Sequence, residues 1–133
     1  MRRTVLVDTG PLYAAVDPDD QYHSRAQTEL GRLQDDGWGI AITYPTLLES
    51  YTLVMQRLSI AVAHQWLDEV TGAAALILPM PDDYVSAVRR VRTYTDQRLT
   101  LTDLVLAAMS ARLAIPIWTY DHHFDLLQAA VWR

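Results

Sequence analysis

Short apolar runs alternate with longer amphipathic stretches along this chain. Val5-Leu6-Val7 has the β-branched, continuous character of a buried strand, and it ends at Asp8. Gly10 and Pro11 break that run, and Leu12 to Val16 suggests a short helix. Asp17-Pro18-Asp19-Asp20 is a turn and helix-start signal. Residues 21–36 then fit a helix with a polar face, stopped by Gly37. Ile40 to Thr43 predicts a second strand. Pro45 opens a helix at its first turn, with Leu48, Tyr51, Thr52, Met55 and Leu58 along one face. Residues 60–71 continue helically and Gly72 stops them. Ala75 to Leu78 predicts a third strand, Asp82 to Asp96 a helix, and Thr102 or Asp103 opens another that runs to about Leu113. Ile115 to Thr119 predicts a fourth strand, His122 to Gln128 a short helix, and Ala130 to Trp132 a fifth strand. Strands that alternate with helices imply an α/β sandwich with a mostly parallel sheet. At 133 residues, with no linker or repeat, residues 1–133 make a single domain.

Composition narrows the chemistry. There is no Cys, which excludes a disulfide scaffold, a thiolate metal site and a Cys nucleophile. All 11 basic residues are Arg, so mechanisms that need a lysine (a P-loop, a Schiff base, a receiver domain) are excluded as well. An aspartyl-nucleophile phosphatase wants a second Asp two residues after the first, and Gly10 stands there. The net charge of −5 argues against a broad basic surface for nucleic acid. No apolar run approaches the ~20 residues of a membrane helix. Asp8 interrupts any signal-peptide core. The expectation is a soluble, cytoplasmic protein.

Four acids fall where a parallel sheet places its ligands, beyond the carboxyl ends of the strands. Asp8 follows the first strand and Asp121 the fourth. Asp103 opens the helix before that fourth strand, and Glu49 lies early in the helix after the second. Each has an ordinary structural alternative. Asp8 and Asp121 are good helix caps. Asp103 suits the positive end of a helix dipole. Glu49, beside Leu47, Leu48 and Tyr51, is the hardest to explain without a partner. Together, with no basic neighbour in sequence, they would repel one another, and a divalent cation is the simplest remedy.

This constellation resembles the PIN domain, specifically the VapC-type toxins of bacterial toxin–antitoxin pairs. Val5 to Leu12, a strand followed by Asp8-Thr9, looks like that family's first motif, with Gly10 where many members carry Ser. Glu49 matches the family's lone Glu early in a helix. Leu99-Thr100-Leu101-Thr102-Asp103 looks like the third motif, and Trp118-Thr119-Tyr120-Asp121-His122-His123-Phe124 like the closing one. The resemblance implies a three-layer α/β/α sandwich and a metal-dependent endoribonuclease acting on single-stranded RNA. Asp8, Glu49, Asp103 and Asp121 would be both catalytic residues and ligands of one or two Mg²⁺ or Mn²⁺ ions, which hard oxygen ligands favour. It also implies a cognate antitoxin and a homodimer, the latter through apolar helical residues around Leu47 to Leu67. The alternatives are a housekeeping nuclease of the same fold and a non-catalytic binding module.

Further residues are candidates for supporting roles. Thr9, Thr102 and Thr119 neighbour the acids and could orient carboxylates or waters, or simply cap helices. Arg89, Arg90 and Arg92 form the densest basic stretch, either an RNA track or a solvated helix face. His122 and His123 lack the spaced partners of a zinc site.

Overall fold

The computed structural model describes residues 3–133. Residues Thr4–Val7 form β1, followed by α1 (Thr9–Val16), α2 (His23–Asp35), β2 (Gly39–Thr43), α3 (Tyr44–Arg57) and α4 (Ile60–Ala73). Then come β3 (Ala75–Ile77), α5 (Pro81–Val91), α6 (Leu101–Leu113), β4 (Ile117–Trp118) and α7 (His123–Leu126). The strands pair in the order β3-β2-β1-β4, and every pairing is parallel.

The alternation of side chains along the strands produces three layers. Val5, Val7, Ile42 and Trp118 face one side, where Tyr13, Ala26, Leu33, Leu47, Val54 and Trp66 from α1–α4 cover them. Leu6, Ala41 and Ile117, in register with one another, face the other side against α5–α7. There α6 lies deepest, with Leu104, Val105, Leu106, Ala107 and Met109 all buried. A sheet covered on both faces needs continuous apolar strands, and Val5-Leu6-Val7 is one. No helix among the described residues is long and apolar enough to cross a membrane.

Several expected boundaries move, for local reasons. Helix α1 already begins at Thr9. Gly10 and Pro11 therefore lie in its first turn, where a missing N–H costs nothing, and they do not break the chain. Gly37 does end α2, at φ +74°, with the Trp38 N–H donating to Leu33 O at 2.9 Å. Gly72 does not end α4, which continues to Ala73. Helix α5 stops at Val91, not Asp96, where the backbone tightens into i→i+3 bonds: the Thr93 and Tyr94 N–H groups donate to the Arg90 and Val91 carbonyls at 3.0 and 3.3 Å. Helix α7 ends at Leu126, and Gln128 turns with φ +57°. That turn leaves only Val131 of the expected fifth strand in register, as a single parallel bridge to Ile117.

Candidate active site

All four acids lie on the carboxyl-end rim of the sheet. Asp8 is only 6% exposed, directly after β1. It occupies the N-cap position of α1, yet its side chain makes no cap hydrogen bond. Its Oδ2 instead accepts the Thr119 hydroxyl at 2.8 Å. Burial pushes the Asp8 carboxyl up to about 7, with the charges of Asp103 and Asp121 adding to the rise and the Thr119 hydrogen bond opposing it.

Asp103 does carry a structural duty. It completes a capping box with Thr100: its N–H donates to Thr100 Oγ1 at 3.1 Å, and its Oδ2 accepts the Thr100 N–H at 3.3 Å. Burial still raises its pKa, and the charges of Asp121 and Glu49 raise it further. Asp121 accepts the His123 N–H at 2.9 Å, and His123 Nδ1 stands 2.9 Å from the same oxygen without the angle of a hydrogen bond. Glu49 is exposed on α3. It lines an open cleft of about 620 Å³ with Tyr44, Leu48, Tyr84 and Thr102. Among the described residues, no Arg pairs with Asp8, Glu49 or Asp103.

The three threonines divide. Thr119 is buried and serves two acids at once, donating to Asp8 and accepting the Asp121 N–H at 2.9 Å. Thr9 reaches α3 by accepting the Ser50 hydroxyl at 3.3 Å, which ties the Asp8 turn to the residue after Glu49. Thr102 lines the cleft but bonds no acid; Thr100 holds Asp103 instead. The Thr-x-x-Asp spacing of a capping box is the sequence signal that points to Thr100. Ser50 has no comparable signal. At Gly10 a Cβ would meet Tyr120 no closer than 3.8 Å, so a larger residue would fit there.

Of the basic stretch, Arg89 and Arg92 are exposed, while Arg90 donates to Leu127 O at 3.0 Å. Arg90 is thus committed to holding α5 against the end of α7.

The donor set is carboxylate oxygen throughout, which suits a hard divalent cation. Among the described residues, no three acidic or histidine side chains converge tightly enough to enclose an ion by themselves. The acids form an open rim and not the ready-made cage that four ligands would suggest. That openness fits Mg²⁺, which keeps several waters and takes only one or two carboxylates directly.

No protein-family model matches the chain, and no curated protein matches it in sequence. Solved structures do match in fold. A VapC toxin of Mycobacterium tuberculosis that cleaves the sarcin–ricin loop superposes with a TM-score of 0.83 at 17% identity, covering 97% of this chain and 98% of that one. The toxin–antitoxin complex VapBC of Rickettsia felis, bound to a promoter DNA fragment, gives 0.75 at 15% identity over 98% and 97%. A toxin–antitoxin complex from Klebsiella pneumoniae gives 0.65 at 17% identity over 96% of each chain. The all-parallel sheet between two helical layers is the PIN-like fold of the VapC toxins, as the four motifs imply.

Proposed function

We propose that this protein is a metal-dependent endoribonuclease that cleaves single-stranded RNA, and that it acts in the cytoplasm as a toxin under the control of a cognate antitoxin. The observation that carries this reading is Asp8: a buried carboxylate, freed from capping, facing two further acids without a cation. Such a group is costly to the fold unless a ligand repays it. Of Asp8, Asp103, Asp121 and Glu49, one or two would hold Mg²⁺ or Mn²⁺ directly and the others through its waters. The ion, when bound, supplies an activated water and offsets the charge on the phosphate. Thr119 fixes the Asp8 carboxylate through Oδ2 and orients the backbone at Asp121. Thr100 fixes Asp103. No general base from the chain is then required.

The test is cleavage of a labelled single-stranded oligoribonucleotide in Mg²⁺ or Mn²⁺. Asp8→Asn and Asp103→Asn are expected to abolish cleavage with the circular dichroism spectrum unchanged. Full activity in excess chelator, or in either variant, would overturn the reading.

The unpaired acids also suit an antitoxin that inserts an Arg. A guanidinium can pair bidentately with two of them and exclude the metal. Millimolar Mn²⁺ should then weaken the complex. A homodimer is part of the same proposal, with its surface narrowed to the exposed residues. Leu47, Val54, Ala63 and Trp66 are core residues and unavailable for it. Leu48 and Ile60 of the Leu47 to Leu67 stretch are exposed, and so are Tyr44 on α3 and Tyr84 and Val88 on α5.

A further inference from the structure

A cluster at the margin of the acidic rim has no part in the chemistry above. Tyr120 lies between Thr119, which holds Asp8, and Asp121. Its ring borders Gly10, so it abuts the Asp8 turn. The Arg25 guanidinium stands 4.4 Å from the Tyr120 ring centroid, and the Tyr22 ring 4.9 Å from it. Beneath them, Glu29 accepts the Tyr120 hydroxyl at 2.6 Å and the Trp118 indole N–H at 3.3 Å, and pairs with Arg25 Nε at 3.2 Å. Glu29 thereby points the polar end of Tyr120 inward and fixes the Arg25 plane. The terminal nitrogens of Arg25 make no hydrogen bond among the described residues. Its side chain is 53% exposed, and Tyr22 is 37% exposed.

We propose that Tyr22, Arg25 and Tyr120 form a nucleotide subsite beside the acidic rim, in which a base of single-stranded RNA stacks on Tyr22 or the outer face of Arg25 and Arg25 also grips the adjoining phosphate. Tyr120 is the anchor of this subsite, and Tyr22 and Arg25 are its contact surfaces. The assignment rests on the nuclease reading for the identity of the ligand. Single-stranded RNA exposes base faces, and aromatic rings and guanidinium planes are the groups that take them. On a chain with a net charge of −5, attraction for RNA has to be local. This cluster places a planar cation on the ring of Tyr120, the residue before the candidate metal ligand Asp121.

The test is fluorescence anisotropy of a fluorescein-labelled single-stranded oligoribonucleotide with the full chain in excess chelator. Tyr22→Ala and Arg25→Ala are each expected to raise Kd about tenfold, in line with the loss of one stacked base. Tyr22→Phe keeps the ring and should recover binding. An abasic spacer walked along the oligonucleotide should erase the Tyr22→Ala penalty at one position. Arg3→Ala removes the same charge at the opposite end of β1 and should leave Kd unchanged. Kd within twofold of wild type in both alanine variants, or an equal loss in Arg3→Ala, overturns the subsite. Cleavage in Mn²⁺ is scored separately. Cleavage without any Tyr22 dependence of binding overturns the subsite and leaves the nuclease. Tyr22-dependent binding without cleavage does the reverse. A wild-type chain that neither binds RNA nor cleaves it in Mn²⁺ overturns both.

Discussion

Thr119 donates its hydroxyl proton to Asp8 Oδ2 at 2.8 Å across a sequence separation of 111 residues. Thr119 Oγ1 in turn accepts the Asp121 N–H, so one buried hydroxyl couples the ends of β1 and β4. Thr119→Val keeps the shape and removes both bonds. It is expected to lower cleavage 10- to 100-fold, the usual loss when the partner of a metal-binding carboxylate is removed, with the fold retained. Thr119→Ser should recover most of the activity. Single-turnover rates for the three proteins at saturating Mn²⁺ check this.

Asp8 makes the metal-free protein sensitive to pH in an unusual direction. Its folded pKa, about 7, lies above the unfolded value of 3.8. The folded state therefore holds a proton that the unfolded state releases. Stability from this group is fully present below about pH 3.8 and is lost as pH rises through about 7. In excess chelator, urea unfolding should show Asp8 costing a few kcal/mol between pH 5 and pH 8. Asp8→Asn should flatten that loss and raise Tm at pH 8, while abolishing cleavage.

Divalent cations should reverse the same cost. At pH 8, Mg²⁺ or Mn²⁺ at about 100 times its Kd is expected to stabilise the fold by about 2.7 kcal/mol. Differential scanning fluorimetry would register this as a rise in Tm, and the rise should vanish in Asp8→Asn. An equal rise in that variant would show that the ion binds elsewhere.

Asp83 anchors the start of α5 by two routes. It accepts the Met80 N–H at 2.7 Å and pairs with Arg112 at 2.7 Å, and the Arg112 pair is the main reason its pKa lies below the ordinary carboxylate range. Asp83→Ala removes both a cap and a paired carboxylate. It should lower Tm by roughly 5–10 °C without changing the metal dependence of cleavage. The contribution of Asp83 is present above its unfolded pKa and is lost as pH falls through the depressed folded value, the opposite sign to Asp8.

The apolar surface formed by α3 and α5 predicts self-association. Tyr44, Leu48 and Tyr84 line one cleft, and Val88 lies one turn beyond Tyr84 on α5. Sedimentation at tens of micromolar should give twice the 15.1 kDa of the chain, and Val88→Arg should shift it toward monomer. A wild-type monomer at that concentration would refute the dimer.

Much of this molecule is legible in the order of its residues. The β-branched run before Asp8, the proline at the first turn of α3 and Gly37 after α2 each act through neighbours a few positions away. Element type and order follow from them. The strand–helix alternation then places Asp8, Glu49, Asp103 and Asp121 on one rim, because a parallel sheet sends every strand end to the same edge. Where an end is settled by competition, pattern alone misplaces it. The backbone tightens into i→i+3 bonds after Val91 and ends α5, and a left-handed Gln128 leaves a single bridge where Ala130 to Trp132 predicts a strand.

Tertiary packing alone decided what those acids are. Asp8 and Asp121 have the same capping signature in sequence, yet Asp8 makes no side-chain cap hydrogen bond and is held by Thr119, whereas Asp121 accepts the His123 N–H two residues on. Asp8 is buried by layers drawn from the whole chain, and its hydrogen-bond partner comes from the far end of it. Glu29 stands among polar residues of α2 and has the pattern of a solvated acid, but packing brings Trp118 and Tyr120 onto it and buries it. Propensity, capping and strand order act over a few residues, so the sequence by itself determined them. Desolvation and charge–charge repulsion depend on which distant groups share a small volume, and only the folded chain brings those groups together.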